Sequence, residues 1–379
     1  MRIFVISQSE VIGHTGGAIS VFGHFCNMLD KAGYEVYAMC WSESTAVPSY
    51  LNERIHFVNL RYVNGGQSRF SRSLRFLIDT DKPDLLVFFF PFLYTYAHLP
   101  GRYDSIPRIL MFHSRPDFYF AQKHNPRLSL SLCYRNTVSQ ILLGSFKDLL
   151  PRFIRKGPVT VIPNYVAGPD VLCDYSATRK RIVYLSRIDP RKGIDLLIDA
   201  FALLHPIYPD WSVDVWGESE TEEYLEKMKS RVESNGLEGS FFFRGVTREP
   251  LKAMLDYDFC AFPSRFEGFG MGLAEAMSLG LPCVGLKSCT GVNELVLDGV
   301  NGILCDDDPQ SFARGMEKLM LSQELRAEMG KKAGLYMEQF SESVYEQKWL
   351  SLIHDILEHG KARGCCSNRS ADVRKLVRL

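Results

Sequence analysis

No apolar run in this chain approaches the roughly 18 residues that a membrane-spanning helix needs, and the longest candidate, Leu85-Leu-Val-Phe-Phe-Phe90, has the length of a core strand. Net charge is missing as well: 44 basic residues balance 44 acidic ones, which argues against a nucleic-acid-binding protein as a whole. The ten cysteines show no Cys/His spacing of a zinc site. Most sit inside apolar runs such as Phe259-Cys260-Ala261 and Pro282-Cys283-Val284, and they read as small buried hydrophobes of a reducing compartment. The adjacent pair Cys365-Cys366 reads as incidental. The opening Met1-Arg-Ile-Phe-Val-Ile-Ser is too short for a signal peptide and has the pattern of a first β-strand. A dinucleotide fingerprint is also lacking. The first loop carries Gly13-His-Thr-Gly16-Gly17 in place of Gly-x-Gly-x-x-Gly, and Cys40-Trp41 stands where the ribose-binding acid would be, so NAD is not expected. Internal repeats and low-complexity segments are absent.

What remains is a regular alternation of apolar strands and amphipathic helices. A chain of 379 residues, 46% hydrophobic, has length and apolar content for two ordinary cores. The first series runs from the strand Ile3–Ser7 through a helix over 17–32, strands over 35–40, 55–59, 85–90, 108–112, 137–142 and 159–162, and helices over 68–80 and 145–154. From Ala167 to Arg179 the pattern fades into Gly, Pro, Asp and Ser, as a linker does. A second series then begins at Arg181. The expected domains are 1–168 and 169–360, with the last helix crossing back to the first domain, followed by a basic, mobile tail over 361–379. Charge differs between the halves: 18 basic and 13 acidic residues in 1–178, 20 and 30 in 179–360, and six against one in the tail. A mildly basic first half suits an acceptor or membrane surface bearing anionic groups.

One stretch organises the rest, Ser264-Arg-Phe-Glu-Gly-Phe-Gly-Met-Gly-Leu-Ala-Glu-Ala-Met through Gly285. It follows the buried-strand run Phe259–Phe262 and leads into a helix from about Met271 to Leu279. Gly268, Gly270 and Gly272 keep side chains away from the helix start, where the free N–H groups of Met271 to Leu273 and the positive dipole end favour an anion such as a phosphate. Glu267 and Glu275 bracket that anion site. A glycosidase acid/base pair is one reading. An all-helical offset of eight residues would span about 12 Å, beyond the roughly 5–9.5 Å that such pairs use. The loop Gly268 to Gly270 shortens that span, so the spacing disfavours the pair without excluding it. A solvated pair of glutamates and a sugar-nucleotide site are the other two.

The run Glu267-Gly-Phe-Gly, Glu275-Ala-Met, Gly-Leu-Pro resembles the Glu-x7-Glu signature of retaining glycosyltransferases of family 4, whose α/β architecture is GT-B: two Rossmann-like domains facing a central cleft. Further marks lie in the same order. Ser186-Arg187-Ile-Asp-Pro-Arg-Lys192-Gly193 resembles the family's Gly-Arg-Leu…Lys-Gly passage, with serine in place of glycine. Val161-Ile-Pro-Asn-Tyr165-Val resembles Ile-Pro-Asn-Gly-Val, and Glu294 and Asp298-Gly-Val-Asn-Gly-Ile resemble the family's later passage. His113 ends a strand where many members have His-Asp; here Ser114 follows, with Asp117 further on.

The resemblance implies glycosyl transfer, with retention, from a nucleotide diphosphate sugar to a hydroxyl of a glycan or lipid-linked oligosaccharide in bacterial surface polysaccharide synthesis. A UDP-sugar is the expected donor and GDP-mannose the alternative. Arg187 and Lys192 would hold the diphosphate together with the amides of Gly16, Gly17 and the loop Gly268, Phe269, Gly270, Met271, Gly272 and Leu273. Glu267 would orient the sugar, Glu275 the ribose, His113 the sugar's far side, and Val246 the base through its backbone. No metal or other cofactor is expected, and no nucleic acid; the location expected is cytoplasmic, with peripheral contact to an anionic membrane. Two other classes share the architecture: a nucleotide-sugar epimerase or hydrolase, and a catalytically silent binding protein.

Overall fold

The computed structural model describes residues 1–8, 17–44, 46–65, 69–121, 136–247 and 249–363. The chain divides into two units, one formed by Met1–Asn164 together with the chain from Ser343 onward, the other by Tyr165–Glu342.

The first unit is built on a seven-stranded parallel sheet: β1 Arg2–Ile6, β2 Glu35–Cys40, β3 His56–Asn59, β4 Leu85–Phe88, β5 Arg108–Phe112, β6 Thr137–Ile141 and β7 Val159–Val161, in the order β3-β2-β1-β4-β5-β6-β7. Ile3 to Ile6, Leu85 to Phe88 and Ile109 to Phe112 are almost wholly buried, because strands covered on both faces must be apolar throughout. Phe4 lies between Tyr37 and Leu86 in the register, so β1 is central and the winding direction reverses between β1 and β4. The final helix, Glu342–Arg363, belongs to this unit from Ser343 on. Tyr345, Trp349, Ile353 and Leu357 recur every four residues on one buried face, and Trp349 meets Phe25 edge-on with ring centres 5.0 Å apart. The helix includes the first three residues of the expected tail; 364–379, with Cys365 and Cys366, lie outside the described residues.

The second unit repeats the plan with six parallel strands: β8 Arg181–Leu185, β9 Ser212–Trp216, β10 Phe241–Gly245, β11 Phe259–Phe262, β12 Cys283–Leu286 and β13 Gly302–Cys305, ordered β10-β9-β8-β11-β12-β13. Here the reversal falls between β8 and β11. The segment read as a linker is strapped along this unit: Cys173 N–H donates to the Leu279 carbonyl (2.8 Å), the Tyr175 hydroxyl to the Gly280 carbonyl, and Gln323 to the Tyr175 carbonyl. The buried pair Arg326–Asp258 ties the helix Gln323–Met337 to the start of β11, with Arg326 also donating to Thr178. Where the unit begins and ends, Val166 N–H donates to the Phe340 carbonyl (2.8 Å) and Val166 bridges to Ser341.

Two elements differ from the sequence expectation, both at prolines. The single helix expected over 145–154 is two short ones, Phe146–Leu149 and Arg152–Arg155. Pro151 offers no N–H and forces Leu150 into an extended conformation (φ −71°, ψ 141°), which breaks the helix. The strand expected over 85–90 stops at Phe88, and Pro91 starts the helix Pro91–Ala97 from an extended Phe90. Among the described residues no helix is long and apolar enough to cross a membrane.

Candidate functional site

In an open α/β sheet the winding reversal leaves a crevice at the carboxyl ends of the two strands that flank it. In the second unit those ends are Leu185 of β8 and Phe262 of β11, and the segments leaving them carry most of the expected site residues. After β8 the chain makes a 3-10 turn, Pro190–Lys192, capped by the fully buried Asp189, whose carboxylate accepts the Arg191 N–H (2.8 Å). The same carboxylate pairs with the side chains of Arg191 (3.2 Å) and Arg187 (3.6 Å), so one hidden acid orients two arginines. Gly193 then adopts φ +70°, and a Cβ there would collide with the Pro263 carbonyl; the turn therefore lies directly against the segment leaving β11.

That contact aims Lys192 at Glu267. Lys192 Nζ donates to Glu267 Oε1 at 2.7 Å, and Ser264 Oγ donates to the same oxygen at 2.7 Å. Glu267 and Ser264 are buried. A Cβ on Gly291 would overlap the Glu267 side chain, so the carboxylate is packed from behind by backbone. Arg265 fixes the loop: its N–H donates to the Arg191 carbonyl (2.8 Å), and its guanidinium pairs with Asp195 (2.9 Å) and Asp307 (3.0 Å). Gly268 follows, then Phe269, which is buried against Phe340 with ring centres 5.4 Å apart. Gly270 at φ +84° opens the helix Met271–Ser278, whose first amides, on Met271, Gly272 and Leu273, have no partner within the helix itself. A Cβ on Gly272 would strike the Leu185 carbonyl, so this helix start sits on the end of β8. One turn on, burial pushes the Glu275 carboxyl up to about 7, and no hydrogen bond or ion pair engages that carboxyl among the described residues. Val246, 52% exposed, follows Gly245 (φ +74°) at the end of β10.

The structure thus brings Lys192 to Glu267 and Arg187 to Asp189, with the loop 268–273 alongside. Glu275 and Val246 belong to the same unit, and the other expected residues, Gly16, Gly17 and His113, to the first. Gly17 is the first residue of the helix Gly17–Lys31, and Gly16 lies outside the described residues. His113 leaves β5 at the side of the Phe89 ring, stacked at 4.0 Å between centres, with Phe90 edge-on at 5.5 Å. Both ring nitrogens are enclosed without a hydrogen-bond partner, and burial lowers the pKa to about 3, so the imidazole is neutral at ordinary pH. Asp117 is bound by Arg115 through both carboxylate oxygens (2.8 and 3.2 Å). Sequence reasoning missed Ser264, Asp189 and Arg265. The Ser-x-x-Glu spacing of Ser264 and Glu267, and an acid directly before Pro190, were the available signals.

Two parallel sheets of seven and six strands, each reversing next to its first strand, define the GT-B fold. Solved structures confirm it: Staphylococcus aureus TarM in complex with UDP superimposes with a TM-score of 0.74 at 15% identity, covering 93% of this chain and 99% of that one. Anabaena HepE in complex with UDP and glucose gives 0.74 at 20% identity, over 94% and 100%. Residues 175–335 match the family described as "Glycosyl transferases group 1". Among curated relatives, the poly(ribitol-phosphate) alpha-N-acetylglucosaminyltransferase of Staphylococcus aureus is 30% identical over 47% of this chain and 36% of its own length. The poly(glycerol-phosphate) alpha-glucosyltransferase of Bacillus subtilis is 26% identical over 47% and 26%. These matches span about half or less of the relatives' lengths.

Proposed function

We propose that this protein transfers a hexose from a UDP-sugar, with retention, to a hydroxyl of a polyol or glycan polymer of the bacterial surface. The observation that carries this reading is the buried carboxylate of Glu267, oriented through one oxygen by Lys192 and Ser264 beside a glycine-built helix start. A cation, a row of free amides and an oriented carboxylate at one crevice suit a diphosphate joined to a polyhydroxy group. In the reaction the bond between the anomeric carbon and the diphosphate breaks, the acceptor oxygen bonds to the same face of that carbon, and the acceptor's proton passes to the departing phosphate oxygen. Arg187, Lys192 and the amides of Met271 to Leu273 stabilise the charge that grows on the leaving group. Glu267 holds sugar hydroxyls through Oε2, Glu275 the ribose, Val246 the base through its backbone, and His113 flanks the far side of the sugar. Gly16, outside the described residues, and Gly17 would add backbone amides to the diphosphate, as the family resemblance implies. UDP is favoured over GDP because structural neighbours are recorded with UDP.

The test is a screen of UDP- and GDP-sugars by protection against thermal unfolding, followed by product analysis with and without acceptor. Protection by a UDP-sugar, with an α-linked product only when acceptor is present, is expected. Free sugar or isomerised donor formed without acceptor marks an epimerase or hydrolase, and no protection by any nucleotide marks a silent domain. Arg187→Ala should cut turnover by roughly a hundredfold or more with the fold intact; wild-type turnover would overturn its leaving-group role.

A further inference from the structure

The first unit contains a cavity of about 360 Å³ that none of the expected site residues occupies. It lies beyond the carboxyl ends of β5 and β6, where ligands of an open parallel sheet are found, between the helix Pro116–Ala121 that follows β5 and the two short helices that follow β6. Phe120, Leu149 and Leu150 supply an apolar floor, and Arg152 and Arg155 stand at its rim. Pro151 breaks the helix here and starts a new turn, in which positions three apart share a face, and both Arg152 and Arg155 line the cavity. Arg152 is exposed and no acid pairs with it among the described residues; Arg155 has only the largely exposed Asp148, at 3.6 Å. Asp117, also at the cavity, is neutralised by its two-point contact with Arg115, which leaves lone pairs for hydroxyl groups. Residues 115–121 and 143–158 together carry five cations, Arg115, Lys147, Arg152, Arg155 and Lys156, against two acids, Asp117 and Asp148.

The geometry points to a subsite for the anionic group of a polyhydroxylated polymer, a phosphodiester or a uronate carboxylate held by Arg152 and Arg155 with a neighbouring hydroxyl on Asp117. Two forked cations over an apolar floor suit a charged group flanked by carbon chain, and guanidinium pairs with phosphate or carboxylate at two points. Calling this ligand the acceptor rests on the glycosyltransferase reading; the binding itself does not.

The experiment titrates the full chain with two probes, an oligomer of glycerol phosphate and an oligomer of galacturonate, with a neutral malto-oligosaccharide as control, and measures UDP-glucose protection in parallel. The wild type should bind one or both anionic oligomers and bind the neutral one at least tenfold more weakly. Arg152→Ala with Arg155→Ala should weaken the anionic oligomer tenfold or more and flatten its salt dependence, leaving UDP-glucose protection unchanged. Arg152→Lys with Arg155→Lys should recover part of the affinity, which separates loss of charge from loss of fold. Preference for glycerol phosphate identifies a phosphodiester, preference for galacturonate a carboxylate. Failure of the wild type to bind either, or equal binding by the double alanine variant, overturns the subsite. Absence of UDP-glucose protection with oligomer binding retained overturns the donor reading and not the subsite.

Discussion

Lys192 and Glu267 are 75 positions apart in the chain and 2.7 Å apart at Nζ and Oε1. Both are largely shielded from solvent, with side-chain exposures of 13% and 8%. The oxygen that receives Lys192 also receives Ser264, and Oε2 receives neither. A buried pair of this kind contributes little net stability while intact and is costly to break from one side.

Lys192→Met should therefore lower stability by about 3–5 kcal/mol in urea unfolding, because Glu267 is left charged and shielded. The double variant Lys192→Met, Glu267→Gln should recover most of that loss while turnover stays abolished. A double variant as unstable as the single would show that the two residues are not an isolated pair.

His113 holds two enclosed nitrogens without partners among the described residues, an arrangement that costs stability. His113→Phe should raise the unfolding free energy by about 1 kcal/mol and extend the stack on Phe89, while turnover falls by roughly a hundredfold. Lower stability in this variant, measured by thermal unfolding, would mean that the imidazole is satisfied within the fold.

Glu275 carries two opposite pH dependences. Its carboxyl is raised from 4.5 to about 7 by burial, so between those values the folded protein retains a proton that the unfolded chain has released. Raising the pH across that window consequently reduces stability, and above about 7 the effect is complete. On the role proposed for Glu275, ribose hydroxyls would donate to the ionised form, so affinity for UDP-glucose, whose diphosphate diester does not titrate there, should increase as pH rises from 6 to 8. Glu275→Gln should flatten both trends; an unchanged affinity profile would separate Glu275 from the nucleotide.

Gly272 has no room for a side chain above the Leu185 carbonyl. Gly272→Ala should cost about 1–3 kcal/mol and weaken UDP-sugar protection, since the helix start must lift off β8. Gly239→Ala, at an exposed position where a Cβ would meet nothing, is the control and should be close to neutral.

Some of the buried strands were legible to the residue. Glu35–Cys40, Arg108–Phe112 and Phe259–Phe262 coincide with their apolar runs, whereas the equally buried Leu85–Phe88 stops short of its run because Pro91 starts a helix from an extended Phe90. Lys192 and Glu267 were also named from sequence, yet nothing in their spacing showed that they touch; that depends on Gly193 meeting Pro263. Ser264 and Asp189 escaped notice because their importance lies in hydrogen bonds across the fold, which have no period. The cavity beside Arg152 was hidden for a different reason: one helix was read through Pro151, which placed the arginines in a continuous spiral and not at a break.

The bridge between Val166 and Ser341 gives the second unit a neck at which its two ends are fastened to each other. Everything from Tyr165 to Glu342 is in topological terms a closed loop inserted into another protein, entered and left at one point. The ends of such a segment lie close enough to be reconnected without stretching the chain. The crevice of Lys192 and Glu267, made wholly within that loop, goes with it as a portable part.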